Sequence, residues 1–255
     1  MKIQYCSDLH LEFRENLRMM NAKEPVLDVA GDVLVIAGDV GYLSDKNVEH
    51  LRLWKWMSEN YRQVLMVAGN HEFYNHGDIA AMGDSWEKKF LPNVGYYHNK
   101  VVRIGNTDFI LSTLWSRISP LDEMIVQAGM NDYRQILYNR HRLTANDITD
   151  EFEKNFAFIQ KSVEMTDAEK IVVVTHHIPT FASIDKRYAG DPLNVAFATE
   201  LGNCIADSRI NAWIYGHAHH QTDLMIGNIH LVSNPLGYVF ARENITFNAS
   251  AFIEI

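Results

Sequence analysis

The sequence is short of cysteine, of basic charge and of long apolar runs. Of its 255 residues only Cys6 and Cys204 are cysteines. Two thiols make no disulfide framework, so a reducing compartment is the simpler expectation. Lys and Arg total 23 against 32 Asp and Glu, a formal net charge of −9. Gripping a nucleic-acid backbone takes clustered cations, so long nucleic acid is not the expected partner. A small anionic substrate stays open, because a bound cation can invert the local field. No apolar run approaches the ~18 residues of a membrane helix. Met1-Lys2-Ile3-Gln4-Tyr5 runs straight into a strand pattern without a signal-peptide core, and a cytoplasmic location is expected by default. There is no internal repeat and no low-complexity segment. What remains is ordinary globular composition, 47% hydrophobic and 22% charged. It fits a single α/β domain over residues 1–255 with room for an insertion.

Read along the chain, short apolar runs alternate with amphipathic stretches. Lys2–Cys6, Val33–Ala37, Gln63–Ala68, Ile171–Val174 and Ala212–Tyr215 read as buried strands. Leu11–Glu24 reads as a loop with a short helical turn. Asn47–Tyr61, Asp78–Phe90, Asp147–Met165 and Val195–Ala206 are expected as helices, the third capped by Thr144 or Asn146 and the last packing Cys204. Hairpins are expected at Val101–Ile104 with Asp108–Leu114, and at Leu224–Ile226 with Ile229–Val232, and a final strand over Ile245–Ile255. Residues 119–144 break the strand–helix rhythm and are expected as a cap-like insertion near a cleft. Phe181–Asn194 reads as an irregular loop.

The chemistry sits where the five buried strands end. They run into Asp8 and His10, Gly38-Asp39, Gly69-Asn70-His71-Glu72, Thr175-His176-His177 and Gly216-His217-Ala218-His219. Asp8-Leu9-His10 alone reads better as a turn or helix cap with a surface histidine, and Asp39 alone equally well as a turn residue. Five such ends in one chain point to a site beyond the carboxyl ends of a sheet. Oxygen and imidazole donors without thiolate favour manganese, iron or zinc over a structural cysteine-type zinc site. The donors are too many for one ion and suit two, with a central carboxylate such as Asp39 bridging. Paired ions are a recurring device for hydrolysing phosphate esters.

The order and spacing of these blocks resemble the calcineurin-like metallophosphoesterase superfamily, from Ser7 to His219. The resemblance implies a four-layer αββα sandwich of two mixed β-sheets flanked by helices. It implies that Asp8, His10, Asp39 and His219 hold one metal, and that Asp39, Asn70, His176 and His217 hold the other. His71 would protonate the leaving oxygen or steady the phosphate. The implied reaction is in-line attack on phosphorus by a metal-bound hydroxide, with no phosphoenzyme. The family's usual His-His-x-Pro arrangement favours His176 as the ligand, which leaves His177 to face the substrate or a neighbouring loop. His220 has no matching position and is expected at the rim.

Departures narrow the substrate. The phosphoprotein phosphatase branch carries an arginine after its second block, where this chain has Gly38-Asp39-Val40-Gly41-Tyr42-Leu43-Ser44. The DNA-capping region of the repair nucleases is not expected either. The expected activity is therefore hydrolysis of a small phosphodiester or a pyrophosphate-linked metabolite. A phosphomonoesterase is the alternative, and a non-catalytic metal-binding scaffold the alternative of another class. Arg117, Lys186, Arg187 and Tyr188 lie on loops near the ligand blocks and are candidate substrate contacts, with His177. Oligomeric state has no signal in the sequence.

Overall fold

The computed structural model describes residues 1–255. Its strands are β1 (Lys2–Cys6), β2 (Val33–Ala37), β3 (Gln63–Val67), β4 (Trp86–Leu91), β5 (Val94–His98), β6 (Lys100–Ile104), β7 (Thr107–Leu111), β8 (Leu137–Tyr138), β9 (His141–Arg142), β10 (Lys170–Val174), β11 (Ala212–Ile214), β12 (Thr222–Ile226), β13 (Ile229–Ser233) and β14 (Phe252–Glu254). They form two six-stranded mixed sheets, ordered β14-β1-β2-β3-β5-β4 and β12-β13-β11-β10-β7-β6, with β8-β9 a separate small hairpin. In each large sheet the four central strands are parallel and both edge strands antiparallel.

Period-two alternation explains why two sheets stack. On β2 all five residues are buried, but they divide. Val33, Val35 and Ala37 join an apolar layer shared with Val172, Val174, Ile214 and Val232 of the other sheet. Leu34 and Ile36 face the opposite way, into a second cluster with Trp54, Met57 and Phe152. A strand buried on both faces must be apolar at every position, as these runs are. The outer faces are covered by helices. They are α1 (Arg14–Met20), α2 (Arg52–Asn60), α3 (Glu123–Gly129), α4 (Asp132–Gln135), α5 (Ala145–Met165), α6 (Asn194–Phe197) and α7 (Gly202–Ala206). α2 packs against β3, β4 and β5 of the first sheet, and α5 and α7 against β7 and β12 of the second. This is the expected αββα sandwich. α5 begins at a full capping box: Thr144 accepts from the Asp147 N–H and the Asp147 side chain accepts from the Thr144 N–H.

Some expected elements differ. Asp78–Phe90 is not a helix but a single 3₁₀ turn, Ala80–Met82, followed by β4. Gly83, at φ +76°, ends the turn. Phe90 stacks on Trp54 at 4.5 Å, and β4 pairs with β5, so cross-strand pairing outweighs helical spacing. β5 itself had no counterpart in the sequence reading. Val195–Ala206 is split into α6 and α7, because Ala198 and Thr199 pair with Ile178 instead of continuing a helix. Cys204 is exposed on α7, not packed. The final strand is confined to Phe252–Glu254, since Glu243–Thr246 forms a 3₁₀ turn. No helix is long and apolar enough to cross a membrane.

Candidate active site

The five strands that carry the motifs are neighbours. β1, β2 and β3 are adjacent and parallel in one sheet, and β10 and β11 in the other, so their carboxyl ends share one edge of the sandwich. The two sheets are joined there: the Ser7 N–H donates to Asn234 O, and the Leu236 N–H to Ser7 O. The chain turns sharply as β1, β2 and β11 end. Asp8, His10, Asp39, His217 and His219 all have φ between +44° and +75°, a region that costs side-chain-bearing residues energy and gathers at functional sites. Gly38 is left-handed too, and a Cβ there would run into the His176 ring. One on Gly69 would press on His176 Nε2 at 2.6 Å. These glycines let three loops close on one point.

The side chains form two nests. In the first, His10 Nε2 lies 2.9 Å from His219 Nε2, and His219 Nε2 3.3 Å from Asp8 Oδ1. In the second, His176 Nε2 lies 3.1 Å from both Asn70 Oδ1 and His217 Nδ1. Asp39, 1% exposed, stands between. Its Oδ2 is 3.8 Å from His10 Nε2, and its Oδ1 3.4 Å from His176 Nε2. Within each of the triads Asp8/His10/His219, His10/Asp39/His71 and Asp39/His176/His217, the donor atoms lie within 4.8 Å of one another.

Outward hydrogen bonds fix which nitrogens face inward. Carboxylates and carbonyls only accept, so Nδ1 carries the proton where it meets one. His10 Nδ1 donates to Glu12 Oε1 at 3.0 Å, His219 Nδ1 to Glu243 Oε2 at 2.6 Å and His176 Nδ1 to Ala37 O at 2.8 Å. The three Nε2 atoms are thereby turned into the nests. Such outward partners are the usual way a metal-binding imidazole is oriented.

The buried carboxylates favour positive charge beside them. Burial works against ionising Asp39, but His176 and His71 hold its carboxyl well below the ordinary range. Asp8 is lowered likewise, against burial, chiefly by His219. In return His176 is pushed up to about 9, where Asp39 overrides its burial, and His219 to about 10, where Asp8 and Glu243 do. His217 is held well below the usual value by burial and by the neighbouring imidazoles. Nitrogens about 3 Å apart beside buried carboxylates are held together by positive charge. A proton supplies it in part, and a metal ion binds by displacing that proton. Oxygen and imidazole donors with no thiolate fit such an ion.

The family model described as calcineurin-like phosphoesterase matches residues 1–221. The chain belongs to that family. It is a metal-dependent phosphoesterase, a hydrolase. It is also similar to the uncharacterized protein L509 of Acanthamoeba polyphaga mimivirus, 30% identical over 274 residues, covering 99% of this chain and 96% of that one. Among solved structures it resembles the phosphopantetheinyl hydrolase PptH of Mycobacterium tuberculosis, with a TM-score of 0.69 at 15% identity, covering 95% of this chain and 90% of that one. TT1561 of Thermus thermophilus is similar at a TM-score of 0.51 and 11% identity, covering 92% and 88%. At those identities the likeness to solved structures is one of fold.

A cleft of about 400 Å³ opens over the two nests. Asp39, Asn70, His71, His217 and His219 form its floor, Met130, Tyr188, Leu193 and Phe197 part of its walls. Residues 119–144 reach it through Gly129, Met130 and Asn131, and residues 181–194 through Ile184, Asp185, Tyr188, Asp191, Leu193 and Asn194. Of the candidate substrate contacts only Tyr188 lines it. Arg117 points elsewhere, bound to Glu153 at 2.7 Å and lying over the Phe152 ring. Arg187 is turned onto Asp185, and Lys186 does not line the cleft. His177 is fully buried against Trp115 and His217, behind the floor and out of reach of substrate. His220 is half-exposed beside Asp185.

Several site residues were missed in the sequence. Glu12 accepts from both His10 and His71. Glu72, quoted in its motif without a role, accepts from the N–H groups of Asp39, Val40 and Gly69 and from Tyr96 OH. Burial and then Asp39 push it up to about 7. Asp132 of α4 accepts from Asn70 Nδ2 at 2.9 Å, which aims the Asn70 oxygen at His176. Tyr238 and Glu243 come from the loop after β13. That strand is parallel to β11 and ends at the same edge, the one signal that could have found them.

Proposed function

We propose that this chain hydrolyses a small phosphodiester or a pyrophosphate-linked metabolite at a pair of ions. Asp8, His10, Asp39 and His219 would hold one ion, and Asp39, Asn70, His176 and His217 the other. The observation that carries the reading is Asp39, whose two oxygens face different nests. Manganese, iron and zinc all suit the donor set. A bound pair would supply an activated water and offset charge on the phosphoryl oxygens.

The chain's residues do the rest. Asp132 keeps the Asn70 oxygen turned inward. The His71 Nε2 faces the cleft, 4.0 Å from Asp39 Oδ2 and 3.3 Å from Tyr238 OH. Asp39 and Glu12 raise His71 against its burial, which suits a group that gives a proton to the leaving oxygen. Tyr74 stacks on that ring at 4.1 Å and fixes its plane.

No Lys or Arg lines the cleft. A terminal phosphate dianion is commonly gripped by such cations, whereas a diester carries one charge less. The apolar and aromatic walls offer surface to the remainder of a metabolite. That a fold neighbour is named a phosphopantetheinyl hydrolase agrees with a substrate of this kind. Hydrolysis of a chromogenic phosphodiester and of the matching monoester, with manganese added and then chelated, tests the reading. Metal-dependent preference for the diester is expected. Preference for the monoester would favour a phosphomonoesterase. Bound metal with no turnover of either ester across manganese, iron and zinc would favour a scaffold.

A further inference from the structure

Glu12 faces two imidazoles with a single oxygen. Its Oε1 accepts from His10 Nδ1 at 3.0 Å and from His71 Nδ1 at 2.7 Å. The side chain is 6% exposed. Its Oε2 is buried without a partner, although burying an unpaired carboxylate oxygen is costly. The segment that carries Glu12 is clamped to the end of β2: the N–H groups of Asp8, His10 and Leu11 donate to the carbonyls of Gly38, Asp39 and Val40. Glu12 is thus fixed relative to Asp39, and both rings are fixed relative to Glu12. The rings of His10 and His71 meet edge to face at 4.5 Å.

We propose that Glu12 is a positioning residue for both halves of the site, holding the proton on Nδ1 of His10 and of His71 so that each Nε2 faces inward. This rests on the phosphoester reading above. For His10 the result is a free Nε2 lone pair in the first nest. For His71, Nδ1 keeps its proton in the charged and the neutral ring alike, so the proton exchanged is the one on Nε2, the atom that faces the cleft. As water adds to phosphorus and loses a proton to solvent, the bond to the leaving oxygen breaks. That oxygen takes the Nε2 proton of His71, which solvent restores. One carboxylate would therefore couple ligand geometry to the acid step. His71 packs beside His10, so tilting either ring would disturb the other.

Glu12→Leu and Glu12→Gln test this. The glutamine keeps an oxygen where Oε1 lies; the leucine removes it. The first readout needs neither metal nor turnover: nitrogen NMR of the ring atoms of the metal-free protein. Wild type and Glu12→Gln should hold Nδ1–H on His10 and, in its charged and neutral forms alike, on His71; Glu12→Leu should mix the tautomers of each neutral ring. The second uses metal-loaded protein on two diesters with matched phosphate, one with an aryl and one with an alkyl leaving group. Glu12→Leu should slow the alkyl ester about 10²-fold and the aryl ester less than about 10-fold, as loss of a general acid does. Glu12→Gln should recover most of the loss. An unchanged Nδ1–H tautomer in Glu12→Leu would overturn the proposal, as would equal losses on both esters at full metal loading. If Glu12→Leu does not fold, Glu12→Asp decides, since one methylene less cannot span both rings and should free one of them. If the wild type turns over no phosphoester, the reading of function fails while the ring tautomers still decide the role of Glu12.

Discussion

Asp39→Asn probes the centre most directly. The substitution keeps the size of a side chain that is 1% exposed. It also keeps an oxygen to accept the His71 N–H, now 2.9 Å from Oδ1. Only the charge is lost. The rise of His176 from 6.5 to about 9 corresponds to roughly 3 kcal/mol favouring its protonated form. Asp39 is the foremost favourable cause. When it becomes an amide, His176 can give up its proton, so the metal-free protein loses about 2–3 kcal/mol at neutral pH and still folds. The effect on metal is larger in kind. A carboxylate offering one oxygen to each nest becomes a neutral amide with one weak acceptor. We expect at least one ion to be lost, and turnover to fall at least about 10²-fold, the scale for removing a major electrostatic contributor. Elemental analysis after gel filtration, diester turnover and a thermal melt measure the three quantities. A folded Asp39→Asn protein with two ions and the native rate would refute the shared-carboxylate assignment.

Acid and alkali should act on different groups in the metal-free protein. His176 and His219 are raised on folding, to about 9 and about 10. Their contribution is complete below their unfolded values and is lost as pH rises through those folded values. Asp8, Asp39 and Glu12 are lowered, so theirs is present above the ordinary carboxylate range and lost on acidification. Thermal melts should be highest between the ordinary carboxylate and imidazole values, roughly pH 5–6, and decline on both sides. Manganese should bind more tightly as pH rises and should abolish the alkaline decline; equal decline with and without metal would contradict the scheme. Gly38→Ala should cost more than about 2 kcal/mol and reduce metal content, because it combines a left-handed backbone with a Cβ against His176; a melt and metal analysis check both. Arg117→Ala and Arg187→Ala should change diester kcat/KM less than about 2-fold, as for surface pairs outside the cleft. A large rise in KM for either would place it on the substrate path.

The strands bearing the motifs were legible because burial on two faces leaves continuous apolar runs such as Val33–Ala37 and Ile171–Val174. The long helix was legible through its apolar spacing and Thr144 cap. β4 was not. Trp86 and Phe90 sit four residues apart as on a helix, and only pairing with β5 and the stack on Trp54 make that segment a strand. The break between α6 and α7 likewise depends on a partner, Ile178, twenty residues upstream of Ala198. Arg117 looked available because it lies on a loop near the ligand blocks, yet Glu153 on α5 takes its guanidinium.

The sequence by itself determined the inventory. Donors of oxygen and imidazole type follow apolar strands, without thiolate, and in this order they identify the family. That is local information, since a strand end and the residue after it are read from a few neighbours. Only the tertiary structure decided which nitrogen of each ring faces inward, which oxygen of Asp39 faces which nest, and which loops wall the cleft. Glu12, Asp132, Tyr238 and Glu243 reach the site through chain turns and a strand end that carry no motif. Their roles arise from distance in space, and hydrogen bonds and charge act over ångströms, whatever the separation along the chain.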